Sequence, residues 1–511
     1  MDELASAIER HQSWISAIDL AKSISIQETF VLGPLLLLEK LFERLGIKEQ
    51  IEQIRSRHPK LALDLQRSIF TLVASRFIRP GSKLSMYEHL FQELDPNYIA
   101  TDLELHQIYR TLDLLCEHKE EMEQGLYWHS RDLFTATVDV VLYDLTTLRF
   151  ESTRTYLGEL RQFGYSKEMR TDCTQVVLGL LLDRHGIPLG FEVYPGNTME
   201  GKTLQDIVEK MRQRFRVRRF IFVADRGLFS AENVAALKTD GGEFIVGMRL
   251  GVFQQRSNEF YDRSRFRWIN DKLAIYETTH GDDRCIVTWS KVRAERDRKT
   301  REDILTKIRK KLASKRINAK TFVSNRNYQR YVSGLSEGNP TLNEKAIAQD
   351  ARKDGFFGIL TNIKDFSAQE AVLHYKDLWK IEDAFGEFKG TLRARPIFHW
   401  TDPRIVGHLM ICFLAYLLEA HITKMLRQKG KTLHAKAIEK SIIKPRPLTV
   451  FQAMRELANV RSIPVRVQSK TLWIRTDISG NAALLFEAAG VRIPPKVLRM
   501  DTPNPAGTNS N

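Results

Sequence analysis

Cysteine is scarce. The 511 residues contain four, Cys116, Cys173, Cys285 and Cys412, far apart and without a C-x-x-C pair. That pattern argues against a zinc site or a disulfide scaffold and suits a reducing compartment. Long apolar runs are missing as well. The longest, LMICFLAYLL ahead of Glu419, is about half of what a bilayer-spanning helix needs and reads as a buried helix. The opening MDELASAIER has neither a basic nor an apolar region of the kind a secretory signal carries. No internal repeat stands out. There is no acidic excess either: 78 Lys and Arg face 63 Asp and Glu, a net charge of +15. A clustered surplus of that size points to a polyanionic partner rather than to solubility alone. The 43% hydrophobic and 28% charged residues suit a soluble, packed protein, and the length asks for two or three domains.

The pattern along the chain is helical up to about residue 134. LALDLQRSIFTLVASRFI (61–78) has apolar positions at helical spacing and stops at Pro80-Gly81. SMYE (Ser85 to Glu88) and TDLE (Thr101 to Glu104) match the capping-box pattern. Short helices with tight connections suit a DNA-end-binding or dimerising module, or a plain bundle. Residues 135–252 then alternate strands and helices in the order β-β-β-α-β-α-β, with a hairpin turning at Asp183–Gly186. This predicts an α/β (α+β) mixed sheet with helices on its faces. Residues 253–350 read as a β-rich, basic insertion that includes KVRAERDRKTREDILTKIRKK. The α/β pattern resumes over 351–425 and is followed by a C-terminal region, 426–501, and a polar tail, 502–511, expected to be disordered.

Three segments carry chemistry: LYDLTTLRF around Asp144, FIFVADRGLFS around Asp225, and YKDLWKIEDAFGEFK around Glu382. Each Asp lies within or just past an apolar, β-branched run, hence near a strand terminus. The third segment predicts one helix with Tyr375, Trp379, Glu382, Phe385, Gly386 and Lys389 on or near one face. Two strand-borne aspartates and one helix-borne glutamate suit a site holding two divalent cations, Mg²⁺ or Mn²⁺, against a phosphodiester. Each acid alone has an ordinary reading, as a strand-end cap or a solvated helix residue. Asp139, Asp377, Asp383 and Glu387 compete, but periodicity turns them away from Asp144 or from the Tyr375–Lys389 stripe. Trp379 is a candidate for base stacking, although a core role is the commoner fate of tryptophan. Lys310 and Lys311 in the basic stretch are candidates for DNA contact. Gln175 is a candidate support for Asp144 from the neighbouring strand.

These residues resemble the DDE transposases of bacterial insertion sequences, of the insertion-sequence-four type. The matching segments are YDLTT, GYSKEMRTDCTQVVLGLLLDRHGIPLGFEVYPGNTMEGKTL, VADRGLFS, DGFFGILTN and RARPIFHW, together with the signature Y-x-x-R-x-x-x-E-x-x-x-x-x-x-K on Tyr375, Glu382 and Lys389. They span about Thr135 to Leu418. The resemblance implies a ribonuclease H-like fold interrupted by a largely β insertion and preceded by an all-helical N-terminal domain. It implies catalysis and metal binding by Asp144, Asp225 and Glu382, and DNA contact by Tyr375 and Lys389, with Arg395 of RARPIFHW a further candidate. It also implies double-stranded DNA as partner (terminal inverted repeats and target), a homodimer, cut-and-paste movement, and a cytoplasmic, nucleoid-associated location without a membrane. A nuclease that cuts without joining, or a domesticated DNA-binding protein, are the alternatives. One position departs from the signature. Its Arg is Leu378 here, so that contact is dropped or supplied from elsewhere.

Overall fold

The computed structural model describes residues 24–501 except 27, 131–138, 153–157, 166–171, 216–218, 229, 239–240, 254–255, 314–325, 335–339, 430–433, 440–441 and 468–469. The opening MDELASAIER and the tail 502–511 lie outside the described residues.

Two short strands, β1 (Ile24–Ile26) and β2 (Phe30–Val31), precede the helices Gly33–Arg44, Ile47–Arg57, Leu65–Ile78, Lys83–His89, Leu105–Glu117 and Lys119–His129. The third starts at Asp64, whose side chain accepts the Arg67 amide at 2.9 Å, and ends before Pro80. The two expected capping boxes are displaced. Ser82, not Ser85, caps its helix by accepting the Ser85 amide at 3.1 Å. Pro80-Gly81 breaks the chain so early that the next helix restarts at once. Glu104, not Thr101, forms the reciprocal box with Gln107, because Leu103 is first pinned in the core.

The main sheet has nine strands: β3 (Asp139–Arg149), β4 (Gln175–Asp183), β5 (Pro188–Pro195), β6 (Phe220–Ala224), β7 (Glu243–Met248), β8 (Arg267–Asn270), β9 (Leu273–His280), β10 (Asp283–Ser290) and, after a small ladder of β11 (Val332–Ser333) with β12 (Thr341–Leu342), β13 (Phe356–Thr361). Their order is β5-β4-β3-β6-β7-β13-β10-β9-β8. β3, β4 and β5 form an antiparallel meander that turns at Asp183–Gly186, where Gly186 takes φ +84°. β6 and β7 run parallel to β3, because the helices Glu200–Phe215 and Ala231–Lys238 return the chain across the sheet. Within the expected insertion β11 and β12 pair with each other, but β8, β9 and β10 belong to the main sheet. β10 pairs with β13, and β13 with β7, so β8–β10 extend the core sheet and cover an edge otherwise left open.

Alternation along the strands divides the core. Leu142, Leu148, Val223 and Ile245 pack on one face with the Glu382 helix and the long helix Asp402–Gln428. Val141, Tyr143, Phe222 and Phe244 pack on the other against Leu204, Ile207, Met211 and Phe215. This is the expected ribonuclease H-like mixed sheet with helices on both faces. Asp402–Gln428 is long and apolar enough to cross a membrane, but 83% of its apolar window is buried inside the protein. It is the core helix the sequence predicts. The N-terminal helices are fastened by buried ion pairs, Lys119 with Glu192 of β5 at 3.1 Å and Glu123 with Arg214 of the helix Glu200–Phe215 at 2.6 Å. After a hairpin of β14 (His434–Glu439) and β15 (Ile442–Pro447), the strands β16 (Arg461–Val467), β17 (Lys470–Arg475) and β18 (Val497–Asp501) form a second sheet. β1 and β2 join it by pairing with β16, so the first and last thirds of the chain fold together.

Candidate active site

The parallel register sets Tyr143 of β3 beside Ala224 of β6. One residue further on, Asp144 and Asp225 come side by side, about 5 Å apart by ordinary strand spacing. Alternation turns Asp144 away from the Tyr143 face and toward the face covered by the Glu382 helix. Asp225 is the first residue past β6, just before the short turn Arg226–Leu228. Glu382 stands exposed in the first turn of the helix Trp379–Lys389. All three carboxylates line one cleft of about 520 Å³.

The single helix expected over Tyr375–Lys389 is in fact two, Ala368–Lys376 and Trp379–Lys389. At the joint the Leu378 amide bonds Tyr375 O at 3.2 Å and the Ile381 amide bonds Leu378 O at 3.1 Å, the tighter spacing of a 3₁₀ turn. Leu378 is buried there, and Asp377 takes the Lys380 ammonium at 2.6 Å. The bend keeps Tyr375, Trp379 and Glu382 on the cleft wall. Phe385 is buried and Lys389 half-buried, and neither lines the cleft. Trp379 is 49% exposed, so the core role usual for a tryptophan does not apply.

The Tyr375 hydroxyl donates to Asp225 Oδ1 at 2.8 Å. Burial, and then the negative charge of Asp225, push the phenol pKa up, so Tyr375 remains a proton donor at physiological pH. Gly247 on β7 makes this contact possible. A Cβ there would lie 2.5 Å from Tyr375 Oη and 2.9 Å from the Arg226 amide nitrogen.

Three arginines share the cleft: Arg226, Arg293 and Arg296. The last two open the basic helix Lys291–Leu312, which Ser290 caps. The guanidinium of Arg293 lies 4.8 Å over the Phe357 ring, and its Nε is buried without a hydrogen-bond partner. Burial lowers the Arg293 pKa; Asp297 opposes this, while Arg296 and Arg226 add to it. Carboxylates and guanidiniums facing one space can hold a cation and a phosphate together.

Residues 137–418 match the transposase DDE domain family. The chain belongs to that family. The matched span begins and ends within two residues of the resemblance read from the motifs. No curated protein matches the sequence. Among solved structures, a piggyBac transposase synaptic complex with hairpin DNA matches over 85% of this chain and 82% of that one, with 10% identity and a TM-score of 0.39. A superposition that loose transfers no residue. Membership makes the chain a DNA-binding transposase of a class that cleaves and transfers DNA, generally with divalent metal ions.

Within this transposase the other candidates fall away from the cleft. Lys310 and Lys311 end the basic helix, about 25 Å beyond Arg293 at 1.5 Å per residue, and the Lys311 ammonium sits 4.5 Å over the Tyr328 ring. Arg395 lines a separate pocket. Gln175 pairs with Arg149, not Asp144, and its side chain instead donates to Gly196 O at 2.8 Å and Tyr165 O at 3.1 Å. Of the competing acids, Asp377 is paired with Lys380, while Asp383 and Glu387 face Glu419. The three arginines are what sequence reasoning missed. Arg293 and Arg296, three apart on one helix, carried a signal, but only the fold shows which end of that helix meets the sheet. The donor set of Asp144, Asp225 and Glu382 is all oxygen, which fits a hard divalent cation.

Proposed function

We propose that this transposase is of the insertion-sequence-four type and moves a DNA element by cut-and-paste. The reading is carried by one observation: Asp144, Asp225 and Glu382, remote in sequence, line a single cleft with three arginines. In it the three carboxylates would hold two Mg²⁺ or Mn²⁺ ions. When bound, such ions polarise the phosphoryl oxygen and favour the deprotonated form of the attacking oxygen. The protein's own part is positioning. Tyr375 orients Asp225 through its hydrogen bond. Arg226, Arg293 and Arg296 neutralise the phosphates on either side of the one attacked, with planar donors suited to phosphate oxygens. Exposed Trp379 stacks on a base at the element end, and Lys389 meets the same DNA.

In the first displacement a water oxygen bonds to phosphorus and the 3′-oxygen leaves, taking a proton to become a 3′-OH. In the second the oxygen of that hydroxyl, giving up its proton, bonds to a target phosphorus and the target strand's 3′-oxygen leaves, taking a proton. Each step makes one P–O bond and breaks one, so no outside energy source is needed. A homodimer puts one cleft on each end, in the cytoplasm at the nucleoid. The test is a linear DNA bearing the inverted repeats that flank the coding region, incubated with the full chain and Mg²⁺. Joined product is expected. Cutting without joining would make the protein a ribonuclease H-like nuclease, and binding without cutting would make it a domesticated DNA-binding protein.

A further inference from the structure

A second pocket, of about 200 Å³, lies between the N-terminal helices and the segment that follows the Glu382 helix. Arg76, Lys83, Arg393, Arg395, His399 and His408 line it, and none of its lining residues is acidic. Arg76 and Lys83 are 2% and 3% exposed. Lys83 Nζ and Arg76 Nε are both buried without a hydrogen-bond partner. His408 is 4% exposed and directs Nε2 to Ala394 O at 3.0 Å, leaving a buried Nδ1 unpartnered. Burying one cation without a counter-charge is costly, and two beside each other cost more. Burial, with Arg76 adding to it, drives the Lys83 pKa well down, and the pKa of His399 falls to about 3 through burial and the same two cations. Arg76 and Lys83 thus face a pocket that offers them no counter-charge.

The rim is accessible, since Arg393 is exposed and Phe398 is 55% exposed. The wall is anchored to the candidate active site, because the Ile397 amide bonds Arg149 O at 3.1 Å at the end of β3. Arg149 lies five residues beyond Asp144 on that strand, on the order of 17 Å. That distance matches about five base-pair rises of duplex DNA.

We propose that this pocket is a phosphate site built from Arg76, Lys83 and the rim Arg393, and that its occupant is a backbone phosphate of the bound DNA. The second half rests on the transposase reading; the first does not. A tetrahedral oxyanion supplies the several acceptor oxygens that the buried donors lack. Its charge also removes the repulsion between them. Gripping DNA there, about half a duplex turn away from the carboxylates, would fix how far the duplex can slide across the cleft.

The test uses the full chain in two arms. Thermal melting with inorganic phosphate, exchanged against chloride at constant ionic strength, should show a rise in Tm for the wild type. Lys83→Met should weaken the apparent phosphate affinity at least about tenfold, as loss of one charge-assisted bond requires. Arg393→Ala, on the exposed rim, should weaken it as well and serves if Lys83→Met does not fold. No Tm rise in the wild type, or equal rises in the variants, overturns the site. In the second arm, log K for a duplex is measured against log salt, and Lys83→Met should lower the slope by about 0.9. A lost phosphate response with an unchanged DNA slope supports the pocket but overturns DNA as its occupant. A wild type that binds no duplex at all counts against the transposase reading, while the phosphate arm still decides on the pocket.

Discussion

Arg293→Met separates a phosphate-binding role from a structural one, because the two predict opposite signs. The guanidinium is half-buried, its Nε has no hydrogen-bond partner, and its nearest acid, Asp297, is 3.7 Å away. Arg226 and Arg296 repel it. What the folded protein gains from it is the contact over Phe357, about 0.5–1 kcal/mol, and a weak helical pair with Asp297. Methionine keeps most of the length and apolar contact and removes the repulsion, so Tm should stay level or rise slightly. DNA cleavage should move the other way. A charge-assisted hydrogen bond to phosphate contributes about 1.5–3 kcal/mol, and partial exposure argues for the lower end. The single-turnover rate should therefore fall by about 10- to 30-fold. Arg293→Lys, which keeps the charge but not the planar fork, should fall between the two. The assay pairs a melting curve with cleavage of an end-bearing duplex at saturating protein. A variant that melts several degrees lower yet cleaves within threefold of the wild type would show Arg293 to be structural and refute the reasoning.

Asp144→Asn, Asp225→Asn and Glu382→Gln should each reduce cleavage by at least about two orders of magnitude with duplex affinity nearly intact; survival of cleavage in any one removes that residue from the site. Added Mg²⁺ should raise the Tm of the wild type and barely change that of Asp144→Asn, and equal rises would locate the ion elsewhere. Gly247→Ala forces a Cβ to within 2.5 Å of Tyr375 Oη; overpacking of this kind costs about 1–3 kcal/mol, and cleavage should fall with Tm. An unchanged rate would mean that the Tyr375–Asp225 bond is dispensable. Glu419 is 3% exposed; burial first, then Glu387 and Asp383, raise its pKa to about 9. Because the folded pKa exceeds the unfolded one, the stabilising contribution is present at low pH and is lost as pH rises toward 9. Glu419→Gln should therefore gain on the wild type between pH 5 and 9, by at most about 1.4 kcal/mol per pH unit. Parallel Tm–pH curves would show that Glu419 does not titrate there.

What could be read from the sequence was local. The run QVVLGLLLD and the turn at Gly186 specify β4 and its hairpin, and the unbroken apolar stretch before Glu419 specifies the core helix. The same local reading failed where a tertiary partner decided the outcome. Periodicity took Tyr375 to Lys389 as one helix because nothing near Leu378 breaks helices: the segment has no proline, and its one glycine, Gly386, lies well past the joint. The break at Leu378 comes from its burial against the core and from the Asp377–Lys380 pair. The partners of the edge strands were beyond local reading for a related reason. FRWIN and KLAIYETTH read as strands, but whether they close on themselves or continue the main sheet depends on β13, some eighty residues further on.

The Leu378 departure brings these two failures together. A signature read along one helix expects its arginine at that position. In the fold, Leu378 is a nearly buried part of the cleft wall at the bend, and the same cleft receives Arg293 and Arg296 from a helix that starts where β10 ends. Phosphate-facing charge is a property of the cleft rather than of the segment bearing the glutamate, so it can move between elements while the glutamate stays. On this argument, restoring the signature residue with Leu378→Arg would not rescue Arg293→Met. It would overpack a wall position that is only 9% exposed, and the acids it could pair with, Asp144, Asp225 and Glu382, line the same cleft and are the ones a metal needs. The double variant should melt several degrees below Arg293→Met and cleave no faster. Recovery of the rate in the double variant would show instead that the two positions are interchangeable and that the loss at Leu378 was made good by nothing else.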